Sequence, residues 1–218
     1  MNSKTKRLTT TGVLIALGVI LSFLKVFEWP FGGSITLASM VPMVIIGYKY
    51  GVKWGLFSGF ISSILQAILG ATTTQAFAGM YDPENAAVSV VKIAVMAFLD
   101  YIVAFSVIGL SGMFRGKFKN DTISIVSGAT CVVLLRLLTH FASGWILWGS
   151  YAEWFFTEGI NNNFGEKVMN TFSGQALSAV YSLIYNSAYM LPELVITVFV
   201  VTVLMTVKPI RKLIVKED

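Results

Sequence analysis

Three ionisable side chains, Asp100, Arg136 and the only histidine, His140, fall inside otherwise apolar stretches. Charge in hydrocarbon is costly, so such residues face a bundle interior and usually mark a ligand or ion site. Arg136, His140, Gly144 and Trp148 follow one another at intervals of four, which puts them on one slowly drifting stripe of a helix. Gly144 leaves a gap in that stripe, between His140 and Trp148, where a flat ring would lie against the backbone. A lone histidine on an apolar helix is more often a satisfied core residue than a ligand contact, but the company of Arg136 and Trp148 on one face favours a site. Asp100, followed by Tyr101, has two readings. It is a structural partner of Arg136 or Lys92, because a buried carboxylate needs one, or it is the anion for a cationic, nitrogen-rich ligand. A third segment carries Tyr181, Tyr185 and Tyr189 at intervals of four, with Asn186 beside them and Glu193 after Pro192. Tyrosines so spaced are usually packing residues with a polar tip. Asn186 is the stronger binding candidate, with donors and an acceptor to satisfy.

The same residues argue against catalysis. The sequence holds no HExxH, no paired histidine ligands, no GxSxG and no Walker motif, and no second histidine completes a metal or nucleophile constellation. No cofactor is implied. Its single cysteine, Cys131, excludes an internal disulfide and a cysteine-based metal cluster, and buried packing is its expected role.

The elements that must position these groups are membrane spans. Hydrophobic residues make up 56% of the 218 against 12% charged, and the mean hydropathy is +0.75, which a water-soluble domain does not reach. Apolar runs cover 8–27, 36–48, 52–71, 87–114, 122–148 and 175–207, most of them near the roughly 20 residues needed to cross a bilayer. The expected fold class is therefore an all-α integral membrane protein, a six-helix bundle forming one domain over residues 1–218. The second run is short and contains Pro42, so it either starts in the preceding loop or packs where neighbours satisfy the freed carbonyl.

Charge placement sets the sidedness. Twelve of the sixteen basic residues cluster at Lys4, Lys6 and Arg7, at Lys49 and Lys53, at Arg115, Lys117 and Lys119, and at Lys208, Arg211, Lys212 and Lys216. The intervening loops hold Lys167 and six acidic residues. By the positive-inside rule both termini are cytoplasmic in a multi-pass plasma-membrane protein. The pI of about 9.3 follows from basic residues at helix ends facing anionic headgroups, so no nucleic-acid partner is expected. A basic start before an apolar run is shared by signal peptides, but no small-x-small cleavage site follows, and the segment reads as a first span. The outer connections 28–35, 72–86 and 149–174 are longer and rich in aromatics, Gly and Asn. They are solvated connectors or a cover over a binding site. In the first span Gly12 and Ala16, with Gly18 nearby, form a smooth face for close helix approach, a weak signal that usually reflects packing within one bundle.

Several segments together carry a family resemblance: Gly32-Gly-Ser-Ile-Thr with Val41-Pro42, Tyr50-Gly-Val-Lys-Trp-Gly-Leu, Leu99-Asp-Tyr-Ile-Val-Ala-Phe, Ile108-Gly-Leu-Ser-Gly-Met-Phe, Leu135-Arg with His140 and Gly144, Trp148-Gly-Ser-Tyr-Ala, and Tyr181-Ser-Leu-Ile-Tyr-Asn with Tyr189-Met-Leu-Pro. The chain resembles the thiamine-specific substrate-binding subunits (S components) of energy-coupling factor transporters, over nearly its whole length except 149–174. The resemblance implies six helices, a vitamin pocket near the outer face and a first outer loop that closes over it. It implies that Asp100, Tyr101, His140, Tyr181 and Asn186 line a thiamine site, that Trp148 stacks on the ligand, and that Gly12 and Ala16 match the motif docking on an energy-coupling transmembrane subunit, which works with two ATPases. Some members place a Trp and a carboxylate in the first outer loop where this chain has Gly33 and Leu37, so Trp29 or Phe31 is the expected substitute.

The chemistry of thiamine agrees with the residues. A permanently cationic thiazolium asks for a carboxylate and aromatic faces, and an aminopyrimidine asks for directed hydrogen bonds. Arg136, a second cation, is expected to pair with Asp100 or another acceptor and to hold the pocket in shape. Two alternatives stand beside this reading. One is a subunit for a thiamine precursor or another vitamin. The other is a proton-coupled secondary transporter relaying through Asp100, Arg136 and His140, which the lack of paired repeats and broken helices disfavours.

Overall fold

The fold is that of a computed structural model, which describes residues 2–29, 32–69, 73–160 and 163–216. Helix α1 (Ser3–Phe23) starts where the Asn2 side chain accepts the Lys4 amide, satisfying one orphan donor of the first turn. The chain then reverses through a short antiparallel hairpin, β1 (Lys25–Glu28) and β2 (Ser34–Thr36), with Phe27 opposite Ile35 and Glu28 opposite Ser34. The connection expected as a loop at 28–35 is therefore an ordered hairpin over its described residues.

Helix α2 (Val41–Tyr50) carries Pro42 in its first turn, where the missing N–H costs nothing. Ten residues rise only about 15 Å, too little to cross a bilayer alone, yet eight of the ten are buried. Among the described residues, five helices are long and apolar enough to span: α1, α3 (Val52–Leu69), α5 (Pro83–Phe114), α6 (Asp121–Leu147) and α8 (Gly174–Thr206). The expectation of six spans thus meets five long helices and one short buried one. Between α2 and α3, Gly51 takes a φ of +82°, a turn that glycine makes without strain.

Two further expected loops are largely helical. Helix α4 (Thr73–Met80) occupies part of 72–86. After α6, short turns at Gly149–Tyr151, Ala152–Trp154 and Phe155–Gly159 lead to α7 (Asn163–Thr171). Phe155 and Phe156 are buried there, so this segment is held by aromatic packing rather than by helix-favouring composition.

The bundle closes through glycine contacts. A Cβ on Gly55 would strike the Gly109 backbone, one on Gly112 the Gly47 carbonyl, and one on Gly128 the Ser111 carbonyl. Glycine at these points lets α2, α3, α5 and α6 approach backbone to backbone, the usual way to gain dispersion contacts where lipid removes the hydrophobic drive. Val44, Ile46, Ile125 and Val132 fill the space beside them, while Val13, Leu138, Ile146, Val195 and Phe199 point outward.

Basic residues join the helix ends at the other extreme. Lys49, 4% exposed, donates to the carbonyls of Leu213 (2.5 Å) and Lys216 (2.6 Å), capping the end of the short helix α9 (Lys208–Val215). Arg115 donates to the Lys49 carbonyl at 2.8 Å, and the Arg7 guanidinium lies 3.9 Å from the centre of the Trp54 ring. The four basic clusters thus gather at one end of the bundle, opposite the hairpin.

Candidate ligand-binding site

Beneath the hairpin a cavity opens between α1, α3, α5, α6 and α8. It holds about 1100 Å³ of empty space, its open mouth included, on the scale of a small-molecule pocket of roughly 300–1,000 Å³. All four members of the α6 stripe, Arg136, His140, Gly144 and Trp148, line it, as do Asp100, Tyr101, Tyr181 and Asn186. Spacing of four along α6 is enough to bring that stripe to one wall. Asp100 arrives by a different route, from a π-helical stretch, Ala97–Val103, inside α5. Such a widened turn shifts the residues it carries relative to a regular helix.

The polar core of the site is a chain of three side chains. Asp100 Oδ1 lies 2.8 Å from His140 Nδ1, and Asp100 Oδ2 accepts from the Ser143 hydroxyl at 2.5 Å. Arg136 Nε donates to His140 Nε2 at 3.2 Å. A nitrogen that accepts carries no proton, so His140 is neutral, with its proton on Nδ1 directed at Asp100. Each Asp100 oxygen keeps a lone pair beyond its protein bond, and the side chain is 19% exposed. Of the acceptors open to Arg136, His140 rather than Asp100 takes the hydrogen bond. Its guanidinium also lies 4.2 Å from the centre of the Phe105 ring, a stacking that steadies a half-buried cation. Lys92 is exposed on α5 and is not the partner of Asp100.

Gly144 does not leave a slot for a flat ring. A Cβ there would collide with Ser182 Oγ and lie 3.0 Å from Asn186 Nδ2, so α8 fills the gap. Asn186 then spends its amide inside the protein, donating to the His140 carbonyl (3.2 Å) and the Ser182 carbonyl (2.8 Å), and accepting from the Tyr189 hydroxyl at 2.6 Å. It clamps α8 to the turn of α6 that carries His140. Tyr189 in turn stands edge-on to the His140 ring at 6.0 Å. The hydroxyl of Tyr181 makes no hydrogen bond among the described residues, while its ring packs on Phe155 and Tyr185.

The hairpin covers this arrangement. Gly33 donates its amide to the Tyr185 hydroxyl at 3.3 Å, and a Cβ at Gly33 would stand 2.7 Å from the Tyr189 ring, so no side chain fits at that position. The Trp29 ring packs 6.2 Å from Tyr185 and 6.4 Å from Phe155, beside the cavity lining rather than on it. Phe31 lies outside the described residues, and Leu37 is exposed. At the far side of the hairpin Thr36 donates both its amide and its hydroxyl to Glu193 Oε1. Thr36 on the lining and Ser143 behind Asp100 are the members that spacing did not single out, and Glu193, noted beside Pro192, had no role assigned to it. Ser143 lies one residue off the Gly144 stripe, and Thr36 meets Glu193 across 157 residues of sequence.

Comparison with known proteins agrees with the cavity's character. A family model described as "Thiamine transporter protein (Thia_YuaJ)" matches residues 8–162. The "Thiamine transporter ThiT" of Bacillus subtilis (strain 168) is 28% identical over 214 residues, spanning 93% of this chain and 92% of that protein. A solved structure of ThiT from Listeria monocytogenes superposes with a TM-score of 0.65 at 20% identity, over 95% of this chain and 97% of that one, a likeness of fold. The role these names carry is transport across a membrane, not catalysis, and the five helices among the described residues that are long and apolar enough to span accord with a multi-pass membrane protein. The match to more than two thirds of its length shows that the chain belongs to the thiamine transporter protein (Thia_YuaJ) family.

Proposed function

We propose that the chain is the thiamine-capturing subunit of an energy-coupling factor transporter of the plasma membrane, taking the vitamin at the outer face. Membership of the thiamine transporter family supports the ligand. The observation that carries the reading is a carboxylate with spare lone pairs, Asp100, held against a neutral histidine in a cavity walled by Trp148, Tyr181 and Tyr101. A permanent cation gains there from the carboxylate and from aromatic faces. In this reading Asp100 offsets the thiazolium charge, Trp148 and His140 offer flat surfaces, and Tyr181 bonds the aminopyrimidine. Asn186 and Gly144 act by fixing α8 against α6, and Arg136 by fixing the His140 tautomer.

Orientation follows from the basic end being cytoplasmic, which puts both termini inside, the hairpin outside and α2 as a short sixth member of the bundle. Delivery inward is the work of an energy-coupling transmembrane subunit and two ATPases, for which the chain offers Gly12 and Ala16 on an exposed face of α1; at Gly12 an added Cβ would meet nothing within 4 Å. The test is uptake into proteoliposomes. Radiolabelled thiamine accumulates only when the energy-coupling subunits and ATP are present, whereas uptake by the chain alone under a proton gradient would refute the coupling.

A further inference from the structure

Glu193 follows Pro192 on α8, is 3% exposed and lines the cavity with Asp100 and Arg136. The functional reading gives it no part in ligand choice. Both hydrogen bonds from Thr36 go to its Oε1, and its Oε2 is buried with no hydrogen-bond partner among the described residues. A carboxylate oxygen so placed is costly unless opposite charge lies near. Arg136 lines the same cavity: its bond to His140 uses Nε, and its Nη groups make no hydrogen bond among the described residues. Lys25, the other cation on the lining, is met by Glu28 of its own hairpin at 2.8 Å, and His140 is neutral.

Building on the thiamine reading, we propose that Glu193 is a specificity-determining residue that offsets Arg136, leaving the charge of Asp100 for the ligand. The lining then carries one net negative charge, complementary to a ring with one permanent positive charge. Were Glu193 neutral, Arg136 would offset Asp100 instead, and the cavity would suit an uncharged ring as well.

The test compares two ligands, thiamine and an uncharged analogue with a thiophene ring in place of the thiazolium, on the purified full-length chain. The readout is the ratio of their dissociation constants. Glu193→Gln keeps the shape and an oxygen for Thr36, and lowers the preference for the cation by about tenfold or more, the scale of one charge-assisted contact in a desolvated site. Thr36→Val loosens the hairpin and weakens both ligands together, leaving the ratio in place. The proposal is overturned if Glu193→Gln leaves the ratio unchanged, or if Thr36→Val lowers it equally. Where Glu193→Gln yields no folded protein, Arg136→Gln carries the test with the opposite sign: the cation preference rises, and a fall or no change overturns the proposal. A wild-type chain that binds no thiamine overturns the proposed function instead.

Discussion

Gly144→Ala adds a single methyl group where α6 meets α8, and the structure sets what it costs. The new Cβ would collide with Ser182 Oγ and stand 3.0 Å from both Ser182 Cβ and Asn186 Nδ2. Overpacking of this kind costs about 1–3 kcal/mol. Two bonds are displaced with it, from Ser182 Oγ to the Phe141 carbonyl at 2.7 Å and from Asn186 to the His140 carbonyl at 3.2 Å, each worth about 0.5–1.5 kcal/mol. The combined loss of about 2–6 kcal/mol corresponds to a fall in melting temperature on the order of 10 °C for a chain of this size. Thiamine affinity falls as well, because Asn186 holds the turn carrying His140. Thermal unfolding in detergent is the assay, run as a double-mutant cycle with Ser182→Gly, which removes two of the three atoms nearest the new methyl. The cycle predicts a favourable coupling of at least about 1 kcal/mol between the two substitutions. A Gly144→Ala protein that melts with the wild type, or whose cost simply adds to that of Ser182→Gly, would refute the packing account.

Other substitutions probe other parts of the site. Ser143→Ala removes the hydroxyl on Asp100 Oδ2 and weakens thiamine binding by roughly 10-fold or somewhat more, as expected for a hydrogen bond to a charged group, measured by calorimetry. Trp29→Ala takes away the ring that ties the hairpin to Phe155 and Tyr185; in stopped-flow fluorescence, thiamine dissociation speeds up by about tenfold with little change in association, the usual division of affinity effects. Lys49→Met releases the end of α9, so hydrogen exchange rises across residues 208–216 while the thiamine dissociation constant stays within about twofold, the site being independent of that end.

The part of the site that lies on one regular helix was legible in advance. Arg136, His140, Gly144 and Trp148 share a face because 3.6 residues make a turn, and nothing in the fold disturbs α6 between them. At Gly144, spacing reveals a missing side chain but not which helix packs into the gap. Asp100 was recognisable as a buried charge, yet its partners depend on the π-helical stretch of α5, which its apolar sequence does not signal. The hairpin escaped notice because strands of four and three residues are too short for an alternating pattern. Gly149–Gly159 forms helical turns through the burial of Phe155 and Phe156, a tertiary effect that overrides a composition rich in small and polar residues. The contact of Thr36 with Glu193 joins β2 to α8, and no local pattern encodes a pairing at that distance.

The central claim is that Asp100 and the aromatic wall beside it form a site for the cationic vitamin, and equilibrium titration of the purified chain tests it most directly. Thiamine is added while tryptophan fluorescence is followed, in the wild type and in Asp100→Asn, which preserves the shape of the carboxylate and removes its charge. The account predicts saturable quenching in the wild type, lost in Trp148→Ala, and a dissociation constant raised about 10- to 100-fold in Asp100→Asn, the effect of roughly 1.4–3 kcal/mol of lost charge interaction in a partly buried site. Absence of saturable quenching in the wild type, or equal affinity in Asp100→Asn, would contradict it.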